Sequence, residues 1–158
     1  MSEETADATD DRRRSIREAA VRLLARREHA RLELERKLTG RGHAPELVEG
    51  VVADLAAAGL QSDDRFAEVF VRSAVGRGHG PLKIRAGLRE RGVDGDAPLT
   101  GFGDDEWRDY ATMVIGKRFG AMPPRNRAEW AKRARFLSAR GFSSDVASRV
   151  LGRLDELP

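Results

Sequence analysis

One six-residue pattern occurs three times and limits what this chain can become. Leu38-Thr39-Gly40-Arg41-Gly42-His43 returns as Leu88-Arg89-Glu90-Arg91-Gly92-Val93 and again as Leu137-Ser138-Ala139-Arg140-Gly141-Phe142. Leu-x-x-Arg-Gly therefore recurs at spacings of 50 and 49 residues, the mark of a chain built from tandem units. The segments that follow the first and third copies also correspond. Leu47, Val48, Val51, Val52 and Leu55 map at a constant offset of 99 onto Val146, Ala147, Val150, Leu151 and Leu154, which is one helix face written twice.

Within each unit apolar residues return every three to four positions and turn signals fall about every 15 residues, so each unit reads as three short helices. Strand-type alternation is missing. Ser15 and Glu18 form a capping box that opens a helix through Leu23 and Leu24; a second runs from about Arg31 to Leu38, and Gly42 stops it. Pro45 starts the third and Gly59 ends it. The second unit begins at Asp63-Asp64-Arg65-Phe66, where an aspartate can cap a helix that turns Phe66, Phe70 and Val71 inward. Gly76 to Gly80 break that helix and Pro81 starts the next, through Ile84 and Leu88. Gly95, Pro98, Gly101 and Gly103 crowd the stretch that should hold its third helix, which predicts a shortened helix or a loop. The third unit places Trp107, Tyr110, Val114 and Ile115 on one helix, Arg125 to Arg140 on a longer one, and a last helix capped by Ser143 and running to Leu154. The expected class is all-α, with an arm at 1–14 and three-helix repeats at 15–62, 63–103 and 104–158.

Charge is distributed in blocks. Residues 1–11 hold five acids and no base; beyond them 12–41 is basic, 42–64 acidic, 72–92 basic, 93–109 acidic and 117–140 basic. The acidic arm is poor in apolar residues and is expected to be disordered. Arginine supplies 25 of the 29 basic residues, and its planar fork suits bidentate pairing with phosphate or carboxylate. The partner classes left open are nucleic acid and an acidic protein surface. No apolar run approaches the roughly 20 residues a membrane span requires. The acidic N-terminus does not read as a secretory signal, and with no cysteine a disulfide framework or thiolate chemistry is ruled out. The cytoplasm is the expected location.

Chemistry of catalysis finds little footing. His29, His43 and His79 form no i, i+4 pair, and neither H-E-x-x-H nor Gly-x-Ser-x-Gly occurs. Gly76-x-Gly78-x-Gly80-Pro81 lacks the Gly-Lys-Ser/Thr ending of a phosphate-binding P-loop and follows no strand. Asp63-Asp64 and Asp104-Asp105 precede helices, where they meet the positive end of the helix dipole. A non-enzymatic chain without cofactor or metal is the expectation.

The Leu-x-x-Arg-Gly repeats, Asp64-Arg65-Phe66-Ala67, and Gly78-His79-Gly80-Pro81-Leu82-Lys83-Ile84-Arg85 followed by Leu88 and Arg91-Gly92 resemble the RecX family of regulators of the RecA recombinase. The resemblance spans roughly residues 15–154. It implies an elongated, curved array of three-helix repeats that binds the RecA filament on single-stranded DNA; a monomer is the default expectation. It further implies restraint of RecA ATPase, strand-exchange and coprotease activities, and so of recombination, repair and the SOS response. The candidate partner-binding residues are Arg72, Arg77, His79, Lys83, Arg85, Arg89 and Arg91, with Arg85 and Arg89 on one helix face. Arg41, Arg91 and Arg140 at the repeated helix ends also read as partners of C-terminal carbonyls or neighbouring acids. Two other functions stay open: a DNA-binding protein that acts on single- or double-stranded DNA without RecA, and a helical scaffold for an unrelated protein.

Overall fold

The computed structural model describes residues 2–158; Met1 lies outside them. Every regular element among the described residues is helical: α1 (Ser2–Arg26), α2 (Arg31–Gly40), α3 (Pro45–Ala57), α4 (Asp63–Gly76), α5 (Pro81–Glu90), α6 (Asp104–Phe119), α7 (Arg127–Ala139) and α8 (Ser144–Leu151). None of these helices is long and apolar enough to cross a membrane. The contacts separate the chain into two compact units, one of residues up to Val69 with Glu90–Val93, the other of Phe70–Arg89 with Asp94–Pro158.

The first unit is built on α1, α2 and α3. Ile16, Ala20, Leu34, Leu38, Val48, Val52 and Leu55 close into one core, and each fully buried aliphatic side chain is worth about 1.5–3 kcal/mol. In the second unit Ile84, Leu88, Trp107, Ala111, Val114, Ile115, Leu137, Phe142 and Leu151 are buried. The leucine that opens each copy of the repeated motif, Leu38, Leu88 or Leu137, is 0% exposed. The glycine four positions beyond it follows a helix whose last carbonyls are met by the following amides, as where His43 N–H reaches Leu38 C=O and Phe142 N–H reaches Leu137 C=O.

Several local readings are corrected. Residues 2–14 are helical rather than a disordered arm: α1 begins at Ser2, so Ser15 lies inside it and caps nothing. The segment extends a helix already anchored at Ile16, which needs propagation and no new nucleus, and Glu3 and Glu4 sit at its positive dipole end. Its side chains from Glu3 to Ser15 are otherwise exposed apart from half-buried Thr9. Helix α4 is capped by Ser62, whose Oγ accepts from Arg65 N–H at 3.2 Å. Asp63 turns to another helix instead: its Oδ1 accepts the Arg31 N–H at the start of α2 (2.8 Å) and Gln61 Nε2 (3.0 Å). Helix α8 is capped by Ser143, which accepts from Val146 N–H at 3.2 Å, but it stops at Leu151 before Gly152. Leu154 therefore sits on a 3-10 turn, 41% exposed, and does not repeat the buried role of Leu55. Between α5 and α6 the one helical stretch is a single 3-10 turn, Ala97–Leu99.

Candidate partner-binding surface

The second unit gathers its basic side chains by a close backbone joint. The turn after α4 reaches the turn after α7, where Gly80 N–H donates to Arg140 C=O (2.7 Å) and Leu82 N–H donates to Gly141 C=O (2.9 Å). Two free amides at the start of α5 thereby satisfy carbonyls left over at the end of α7. Nothing larger than glycine fits: a Cβ on Gly80 would stand 2.6 Å from Gly141 C and O, and one on Gly141 would stand 2.5 Å from Lys83 N. Lys83 is thus seated against the Arg140–Gly141 turn.

Charge converges at the same place. Arg140 Nη1 donates to Arg77 C=O at 3.1 Å, and its guanidinium lies over the Phe136 ring at 5.0 Å. His79 is half-buried there, and its imidazole is held below its ordinary pKa, first by burial and then by Lys83, Arg77 and Arg140. At neutral pH it is an uncharged ring amid three cations. Arg72, Arg77 and Lys83 are exposed, and no ion pair engages them among the described residues.

The structure divides the remaining candidates. Arg85 and Arg89 share Asp96, at 2.6 Å to Oδ1 and 3.4 Å to Oδ2 respectively. The Arg85 contact is an ion pair whose Nε–H does not point along the N···O line. Both arginines, read from the sequence as part of a positive patch, therefore share one carboxylate, which offsets at most one of their two charges. Arg91 belongs to the first unit, 3.8 Å from both Glu33 Oε2 and Glu90 Oε2. Of the seven candidates, Arg77, His79 and Lys83 come together. Sequence reasoning assigned Arg140 to a helix end, which is where it bonds; its place beside Lys83 depends on the joint between Gly80 and Gly141. The signal that could have revealed it is glycine in both partner turns.

Three family models cover most of the chain. The first three-helix domain of RecX matches residues 17–55, the second 62–97 and the third 104–151. The chain belongs to the RecX family. It is 46% identical to the regulatory protein RecX of Halorhodospira halophila, across 90% of this chain and 89% of that relative. It is 47% identical to the regulatory protein RecX of Chromohalobacter salexigens, across 85% and 90%. Two crystal structures share the fold: RecX from Lactobacillus salivarius (TM-score 0.76, 22% identity, covering 92% of this chain and 98% of that one) and a regulatory protein RecX (TM-score 0.79, 25% identity, 94% and 76%). The third domain's match begins where α6 begins, and the second ends inside the 3-10 turn that stands where the other two domains carry a third helix.

Proposed function

We propose that this protein regulates the RecA filament on single-stranded DNA, restraining its ATPase, strand-exchange and coprotease activities without chemistry of its own. Membership of a family of regulatory proteins carries the reading. The geometry that supports it is the exposed cationic group of Arg72, Arg77 and Lys83, backed by Arg140 and neutral His79, which suits acidic side chains of filament subunits or the DNA backbone. Arg85 and Arg89 contribute less because Asp96 holds them, and Arg91 serves the first unit. The site is cytoplasmic and the working form a monomer.

The test is RecA ATP hydrolysis on single-stranded DNA during titration with this protein, alongside its own DNA binding at the same salt. Inhibition well below the concentration that coats bare DNA is the expected result. Inhibition only at saturation of bare DNA would replace this reading with direct DNA binding, for which the alternating basic blocks are the supporting observation; that binding would weaken steeply with salt. A joint substitution of Arg77 and Lys83 by glutamate is expected to weaken inhibition while leaving the helical content intact.

A further inference from the structure

The second unit carries a cleft of about 270 Å³ that shares Arg77 and Arg140 with the cationic group above. Its floor is apolar, made by Val75, Val114 and Phe136, and Met113 stands 49% exposed at its edge. Its rim is Arg77, Lys117, Arg118 and Arg140, and no carboxylate lines it. An exposed methionine beside a hydrophobic floor is a surface waiting for cover, since Met adapts to varied apolar partners.

The size and chemistry select an occupant. Sites for small molecules run from about 300 to 1,000 Å³, so this cleft suits a single side chain more than a nucleotide. A nucleic acid strand would satisfy the rim but would need a bare aromatic face for its bases. Phe136 already carries the Arg140 guanidinium over its ring and meets Phe119 edge-on at 5.4 Å. A peptide with an apolar residue between carboxylates satisfies both parts. The apolar side chain covers Met113, Val75 and Val114, and the flanking acids pair with four cations, where arginine can offer bidentate contacts.

We propose that this cleft binds an acidic peptide segment of a protein partner, anchored by one apolar side chain. The cleft shares Arg77 and Arg140 with the cationic group of the proposed function, so the inference rests in part on that reading, but peptide binding is measured on the protein alone and stands or falls independently of RecA inhibition. The probe is a fluorescein-labelled peptide, Glu-Asp-Leu-Asp-Glu, followed by fluorescence polarisation with the full chain. Saturable binding is expected. Lys117→Glu combined with Arg118→Glu, both exposed positions, should weaken it by roughly tenfold or more, the scale of losing two close charge pairs. Met113→Glu, made separately in case the double variant misfolds, should weaken it to a similar degree. Alanine in place of the probe's leucine should also cost roughly tenfold. Far-UV circular dichroism checks each fold. The proposal is overturned if the peptide does not bind, if the alanine peptide binds equally, or if neither variant changes binding. It is likewise overturned if a labelled oligothymidylate, and not the peptide, binds and is lost with Lys117 and Arg118.

Discussion

Gly42 and Gly141 occupy the same place in two copies of the motif, and alanine should affect them very differently. Both have positive φ, +94° and +92°, a region that costs a residue with a Cβ about 1 kcal/mol. Around Gly42 an added Cβ meets nothing within 4 Å, so Gly42→Ala should destabilise by about that 1 kcal/mol. At Gly141 the same atom would stand 2.5 Å from Lys83 N and 3.0 Å from Lys83 Cα. The turn must then withdraw from α5, giving up Gly80 N–H to Arg140 C=O and Leu82 N–H to Gly141 C=O. Each backbone bond is worth about 1 kcal/mol net, and displacing packed backbone adds about another 1 kcal/mol. The expected loss for Gly141→Ala is about 4 kcal/mol. Urea unfolding followed by far-UV circular dichroism reads the difference. With a slope of about 1–3 kcal/mol per molar urea, the Gly141→Ala midpoint should fall at least roughly 1 M further than that of Gly42→Ala. Equal midpoints for the two variants would refute the steric argument and leave positive φ as the whole reason for the motif's glycine.

Stability should also fall with acid through His29. This imidazole is 2% exposed. Its Nδ1–H donates to Arg27 C=O and Lys37 Nζ approaches its Nε2, both at 3.1 Å. Burial holds its pKa below the ordinary 6.5, and Arg27 and Lys37 push the same way while the bond to Arg27 and nearby Glu33 oppose them. Above about pH 6.5 both folded and unfolded chains keep the ring neutral; below it the unfolded chain takes up a proton first, so stability drops toward the folded pKa. Comparing urea midpoints at neutral and mildly acidic pH checks this, and His29→Gln should flatten the slope; a slope unchanged in that variant would assign the loss to other groups. Asp96→Ala should free Arg85 and Arg89 at a cost under about 1 kcal/mol, since all three groups retain solvent contact. Its readout is elution from a heparin column at higher salt than the parent, and unchanged elution would mean Asp96 does not restrain those arginines. Asn126 caps α7 by accepting Glu129 N–H at 2.9 Å; Asn126→Ala should cost about 1 kcal/mol in the same urea assay, and a loss near zero would show that the reciprocal Arg125–Glu129 contacts hold the turn unaided.

What could be read from sequence was whatever neighbouring residues decide among themselves. Leu38, Leu88 and Leu137 fall at helix spacing just before a glycine, so helix type, helix ends and buried faces followed from the motif. Ser143 followed too, because a cap bonds within three residues. Asp63 did not, because its chosen amide belongs to Arg31, 32 residues earlier in the chain. Residues 2–14 were misread because composition measures whether a segment can order itself, and this one continues a helix held elsewhere. Leu154 was misread because the offset of 99 was carried past Gly152, whose φ of +83° ends α8. In the candidate site, Lys83 and Arg77 were legible as a local cluster. The neutralising role of Asp96 and the approach of Arg140 arise from chain returns that no local pattern encodes.

The joint between the start of α5 and the end of α7 also sets a schedule for synthesis. The core of the first unit is drawn from residues 16 to 55, so it can close while most of the chain is still unmade. Helix α5 emerges long before the turn at Arg140 and Gly141 to which its first amides bond. Until that turn leaves the ribosome, the Gly80 and Leu82 amides lack the carbonyls they bond in the finished unit, and ordering the intervening loop costs entropy that no contact has yet returned. At the elongation rate of about 5–20 residues per second, the basic segment that includes Lys83 waits several seconds for its seat. The charged surface around Lys83 therefore takes shape only late in synthesis, once residues 140 and 141 are made, and a chain cut short before residue 140 keeps its first core while never assembling that surface.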